Sequence, residues 1–236
     1  MSRIEEVQDA VRIIHRCYLV TFHPLAETAA GRRAAERCGL PAFIDGSCRR
    51  EPDFQSRFPS ITATCRGRNF APRLHVGDRV AYLTVKRKYP GDARRGWHLV
   101  AVLRVIRCFC SHEAAASWYR ASGMPLPSNC VVEGNPPIEF MATNGSPPPE
   151  ARVGVCGKAN PTESVQLWDN TYRERVSGWP VFLACEAEFR ETTAPPQLLD
   201  SLLREVFGRI PGTQNPPEID CAQLDRLLKV AHSLAA

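Results

Sequence analysis

The chain has 236 residues, 44% of them apolar and 23% charged, with a net charge of +5. These are the proportions of a globular protein with room for a sizeable core. No run nears the roughly 20 apolar residues of a membrane span, and residues 1–16 lack the apolar stretch of a secretory signal. A cytoplasmic location with no membrane partner is therefore expected.

In chain order, Ile4, Val7, Val11 and Ile14 recur at helical spacing and predict an amphipathic helix over 3–15. CYLVTF (17–22) reads as a buried strand. The alanine-rich run after it ends at Gly39 and predicts a helix with an exposed basic face. Prolines and an Asp-Gly step forbid regular structure across most of 41–74, apart from a short strand near SITATC, yet Phe43, Phe54, Phe58 and Ile61 are anchors a floppy linker would lack. At 77–78 a Gly-Asp turn leads into an alternating strand that ends in Lys86, Arg87 and Lys88. After a Pro-Gly-Asp turn comes WHLVAVLRVIRCF, apolar on both sides over 99–109 and so central in a sheet. Ser111 caps a helix that Gly123 ends. The proline-rich stretch that follows reads as loops, 181–191 as a strand, and QLLDSLLREVFG and CAQLDRLLKVAHSL as C-terminal helices. There is no internal repeat. The sum is an α+β fold of five to seven strands with flanking helices and long proline-rich loops.

Charge is unevenly placed. Residues 1–100 carry 18 Lys/Arg against 10 Asp/Glu, and between Arg66 and Arg95 nine basic residues face only Asp78 and Asp92. That local excess is the electrostatic footprint of a site for a polyanion. The ten cysteines are scattered along a chain too large for a disulfide-stapled miniature, so reduced thiols packed as small apolar groups are expected.

The run RNFAPRLHVGDRVAYLT (68–84), then HLVAVLRVI (98–106), then a capped helix resembles the core of PUA-like domains, the branch that holds the ASCH, EVE and YTH modules and the nucleotide-modification-associated domains. The likeness covers 17–22 and 59–120, with 181–191 as a closing strand. The 40–58 insert, the region after Gly123 and the C-terminal helices depart from it. The resemblance implies one PUA-like domain over 1–236, a small twisted β-barrel with insertions at about 40–58 and 123–180 and helices at about 196–236. It implies a ligand, DNA or RNA, held through a modified or unpaired base, and carries over no catalytic set.

Reading a base takes aromatic planes, fixed donors and acceptors, and cations for phosphate. Arg49 and Arg50 after the 45–46 turn, Arg66, Arg68 and Asn69 around a glycine, and Lys86, Arg87 and Lys88 on the hairpin are the expected nucleic-acid contacts. Trp97, beside the cationic hairpin, is the expected stacking plane, chosen over Trp118, Trp168 and Trp179. Ser47, Asn129, Gln214 and Asn215 sit between prolines or in turns and are the expected base readers, since Asn and Gln bond a base twice at once.

No cofactor or metal is expected: Cys108, Cys110 and His112 have no second cysteine pair at zinc spacing. Nucleophile-elbow and phosphate-loop motifs are absent. Two rival readings stand beside nucleic-acid binding. One is a base-processing enzyme using Cys48 (with His23 or His98), Asp45 or Glu51 in the same cleft. The other is a protein-interaction module built on the C-terminal helices.

Overall fold

The computed structural model describes residues 15–147, 160–212 and 215–235. Residues 3–14 of the helix expected over 3–15, and Gln214, lie outside them. Seven strands form one sheet: β1 (Cys17–Phe22), β2 (Ser60–Thr62), β3 (Arg79–Thr84), β4 (Trp97–Phe109), β5 (Phe182–Arg190), β6 (Gln197–Leu198) and β7 (Glu218–Ile219). The order is β2-β5-β4-β3-β1-β7, with β6 paired to the start of β4. β1 runs parallel to β3, Cys17 opposite Arg79 and Phe22 opposite Thr84, while β3–β4 and β4–β5 are antiparallel. β4 is central, as its two-sided apolar run predicts, and Leu99 to Leu103 are all fully buried.

The expected barrel is not closed. Between β1 and β2 the described residues make only isolated bridges, Pro24 to Asp45 and Asp53 to Ser60, so an irregular wall stands where a ladder would close the barrel. The prolines of that wall are the physical reason, because each removes a donor a ladder needs.

Alternation sorts each strand's side chains to two faces. Tyr18, Val20 and Phe22 of β1 join Tyr82, Val100, Leu103 and Phe54 under the irregular wall. Leu19 joins Ala81, Leu83, Trp97, Leu99 and Val102 against the C-terminal helices. Of the helices, α1 (Ala29–Cys38) is capped by Thr28 and ends on a left-handed Gly39, and α2 (His112–Ala121) by Ser111, whose hydroxyl accepts from Ala114 N. An 18-residue helix, α3 (Pro161–Gly178), occupies part of the stretch read as loops. α4 (Asp200–Phe207) and α5 (Cys221–Ala235) follow. The all-thiol expectation also needs correction: Cys17 of β1 and Cys221 of α5 form a disulfide across 204 residues, brought together because β7 pairs with β1 just before α5 begins. No helix among the described residues is long and apolar enough to cross a membrane.

Candidate functional site

The wall over β1 is built from buried polar groups. Residues 43–54 are all buried. Asp45 Oδ1 accepts from Ser47 N at 2.9 Å, Ser47 Oγ at 2.5 Å and Glu51 N at 3.0 Å, which folds 45–51 into a tight knot. Arg50, at φ +36°, turns its guanidinium back under that knot, donating to Asp45 O and Ala142 O at 2.6 Å each. Glu51 emerges opposite β2. Its Oε1 accepts from Thr62 N at 2.9 Å, and its Oε2 from Thr62 Oγ1 at 2.6 Å, Thr64 Oγ1 at 3.3 Å and Asn129 Nδ2 at 2.9 Å.

Between this wall and β1 lies a cavity of about 260 Å³, lined among others by Phe22, Phe70, Tyr82, Asp45, Glu51 and Thr62, with Arg66 at its side. That is below the drug-sized range and suits a small planar ligand. Burial pushes the Glu51 carboxyl up to about 8, against the lowering effect of the Thr62 and Asn129 hydrogen bonds. Burial likewise raises Asp45. At neutral pH Glu51 therefore carries its proton, and the cavity offers polar but uncharged groups there. A protonated carboxyl donates to Thr62 or Thr64 Oγ1 without orphaning anything, since a hydroxyl can turn to accept.

Cys65 and Arg66 are shared with an outer groove of about 390 Å³, lined by Gly67, Arg68, Asn69, Arg175, Trp179 and Asn215. Arg66 donates to Thr21 O at 2.8 Å and Arg175 to Thr64 O at 2.7 Å, fixing two guanidiniums at the rim by the strand ends. Arg68 is exposed, and the Trp179 indole, following the end of α3, is 38% exposed. Gly67 sits at φ +52°, and a Cβ there would lie 3.0 Å from Trp179 Cζ3. Only a residue without Cβ lets the backbone approach the ring this closely. Gly67→Ala should cost about 1–2 kcal/mol from the left-handed backbone alone, read as a lowered urea midpoint, and should displace the indole from the groove. An unchanged midpoint would refute it.

A second cleft of about 460 Å³ adjoins the cavity through His23, Asp45 and Cys65 and is also lined by Glu27, Ser47 and Asn144. His23 Nδ1 lies 2.6 Å from Glu27 Oε2, and that carboxylate meets Arg87 Nε at 3.2 Å. Hydrogen bonding to Glu27 raises the His23 pKa.

Of the residues expected at the site, Arg66, Arg68, Asn69 and Asn215 share the outer groove, and Ser47 lies in the adjoining cleft with its hydroxyl on Asp45. The other described candidates, seven in all, line neither the groove nor the two cavities beside it. Arg49 is fully enclosed, its Nε 2.5 Å from Asp169 Oδ1 and its Nη1 on Asn135 O at 2.8 Å. Arg50 holds main-chain carbonyls as described. Asn129, also fully buried, accepts from Ser60 Oγ and donates to Glu51, so it positions the carboxyl instead of reading a base. Trp97, 7% exposed, is packed with Leu198 and Leu203, because its place in the strand alternation points it at the face the C-terminal helices cover. Lys86 lies 4.6 Å from the Trp97 ring centroid and 2.6 Å from Asp200, on that same face. Arg87 and Lys88 are exposed. Cys48 packs among Val165, Trp168 and Tyr172, where burial pushes its thiol far up, the reverse of an activated nucleophile. Among the described residues no cluster of three His, Cys, Asp or Glu is placed to hold a metal.

The residues sequence reasoning passed over are Tyr82, Arg175 and Trp179. Trp179 was readable as an aromatic just past Gly178, where a helix with Glu163 and Arg175 at its ends must stop.

No family model matches the sequence, and no curated protein matches it. Among solved structures the chain is similar to two crystal structures of ASCH from Zymomonas mobilis. One is a serine-to-alanine mutant, 8% identical over 92% of this chain and 96% of that one, with a TM-score of 0.38. The other is 7% identical over 91% and 95%, with a TM-score of 0.36. Both likenesses are remote.

Proposed function

We propose that this chain is a nucleic-acid-binding protein of the PUA-like kind that takes one unpaired or modified base into the cavity beside Glu51. One observation carries the reading: a half-open cavity, lined by Phe22, Phe70 and Tyr82 and uncharged at Glu51, shares Arg66 with a groove of arginines that holds an exposed indole. A base is flat and neutral, and its phosphates are anionic. Aromatic walls inside and cations outside match that division of charge. Arg66, Arg68 and Arg175 would hold phosphate, Trp179 would stack a neighbouring base, and Asn69 and Asn215 would bond edges. Tyr82, Glu51 and Thr62 would surround the extruded base.

Titration of short single-stranded RNA and DNA by fluorescence anisotropy tests this. Affinity should fall by about 0.7 log units per phosphate contact for each decade of salt. Trp179→Ala should weaken binding by about 1–3 kcal/mol, the usual loss of one base–aromatic stack, with no change in stability. Failure to bind any strand, or binding indifferent to salt, would end the proposal.

The two buried carboxylates at the cavity favour a second reading, turnover of a modified base by Asp45 or Glu51. Release of a product from a modified nucleoside, abolished in Asp45→Asn while binding persists, would establish it.

A further inference from the structure

The cations that do not reach the outer groove have a common place of their own. Arg87 meets Glu27, which lines the second cleft, whereas Arg68 and Trp179 line the outer groove. Immediately beyond Glu27, α1 begins, and an open groove of about 670 Å³ runs between α1 and Pro90 of the hairpin, lined by Arg32, Arg33 and one acid, Glu36. Lys88, beside Pro90, is exposed, as are Arg32 and Arg33. The hairpin tip is held against the wall rather than waving free: Tyr89 is 2% exposed, packs its ring at a tilt 5.5 Å from that of Phe43, and donates to Val85 O at 2.8 Å. Two cationic groups thus border the adjoining clefts, Arg66 and Arg68 at the outer groove, and Arg87, Lys88 and Arg33 by the second cleft and the α1–hairpin groove. The cavity shares Cys65 and Arg66 with the outer groove and His23, Asp45 and Cys65 with the second cleft, so Cys65 borders all three.

We infer that the ligand is an internal nucleotide of a single strand, whose backbone is gripped on both sides of the extruded base, and not a free nucleoside or a strand end. This inference rests on the base-binding reading above. Only a continuous polyanion can use two cationic clusters separated by a cavity that holds a base. A mononucleotide would engage one cluster and leave the other idle. The α1–hairpin groove is thus the exit path of the strand, with Arg33 and Lys88 as sequence-independent phosphate holders.

The experiment is a length series of unstructured strands: a mononucleotide, a trimer and a strand of about nine nucleotides, within the usual footprint of single-strand grooves. Wild type should bind the longest strand far more tightly than the trimer, with a steeper salt dependence. The double variant Arg33→Ala/Lys88→Ala, both positions exposed, should weaken the longest strand about tenfold, lower its salt slope by about 1.4 for two lost contacts, and leave the trimer unchanged. Arg68→Ala should weaken both. Equal binding of the longest strand by wild type and the double variant, alongside a weakened Arg68→Ala, overturns the two-sided grip and leaves base binding standing. Polyglutamate of matched charge binding as tightly as the longest strand also overturns it, because the face would then be a generic polyanion surface. If wild type binds no strand of any length, the base-binding reading itself falls.

Discussion

Arg49→Ala should destabilise the fold by about 3–5 kcal/mol, the usual result of removing one partner from a buried ion pair. The arginine is wholly enclosed and Asp169, on α3, is 1% exposed. In the variant Asp169 would keep only Arg173, a half-exposed partner one helical turn away at 2.7 Å. The carbonyls of Ser128 and Asn135 would lose their donor as well, and each orphaned buried acceptor adds to the cost. The urea midpoint should drop accordingly. The double replacement Arg49→Met/Asp169→Leu should recover much of the loss, because two packed apolar groups need no charge compensation. If Arg49→Ala instead left stability within about 1 kcal/mol of wild type and abolished strand binding, Arg49 would be a phosphate contact after all.

This expectation rests on a helix that pattern reading did not find. In the sequence Arg49 and Arg50 look like loop arginines available for phosphate or stapled locally, Arg50 to Glu51 or Asp53. The partners of Arg49 come from afar, Asp169 from α3 and Asn135 from the loops before it, and Arg50 ties the distant Ala142 carbonyl to that of the nearby Asp45. The signals for α3 were in place, with Asn160 and Glu163 forming a capping box and Val165, Trp168 and Tyr172 at helical spacing. The proline-rich run before them masked the change of pattern. Where local periodicity decides, the sequence was readable: β1, the β3–β4 hairpin, and the helices at Ser111 and near the C-terminus all stand where spacing puts them. Where a face is chosen by a distant element, it was not. Trp97 follows a cationic stretch and looks accessible, yet Leu198 and α4 cover it, while Trp179, less conspicuous, is the indole left in the groove. Cys17 and Cys221 likewise meet only through the β1–β7 pairing, which two residues of strand do not announce.

The second large effect concerns Glu51 and pH. In the folded chain its carboxyl is pushed up to about 8, while in the unfolded chain it returns to the ordinary value of 4.5. Between those values the folded state holds a proton that the unfolded state has released, so stability falls as pH rises through the window. The slope from this group approaches about 1.4 kcal/mol per pH unit, or roughly 2–3 kcal/mol between pH 5.5 and 7.5. His98 and His112 act in the opposite sense, since burial lowers their pKa and the folded state then binds fewer protons. The bare pH profile is therefore a sum, and the readout must be the difference between wild type and Glu51→Gln. The amide cannot ionise and keeps the shape of the protonated acid, so its stability should lack this decline, and the two curves should diverge in the variant's favour as pH rises. Parallel curves from pH 5.5 to 8.5 would mean that the carboxyl is ionised in place, stabilised by the Thr62, Thr64 and Asn129 donors. The same variant tests the cavity's chemistry: if a neutral wall is what admits the base, Glu51→Gln should bind a strand as wild type does at pH 7 and hold it above pH 8.5, where wild type, having placed a negative charge in its own cavity, lets go.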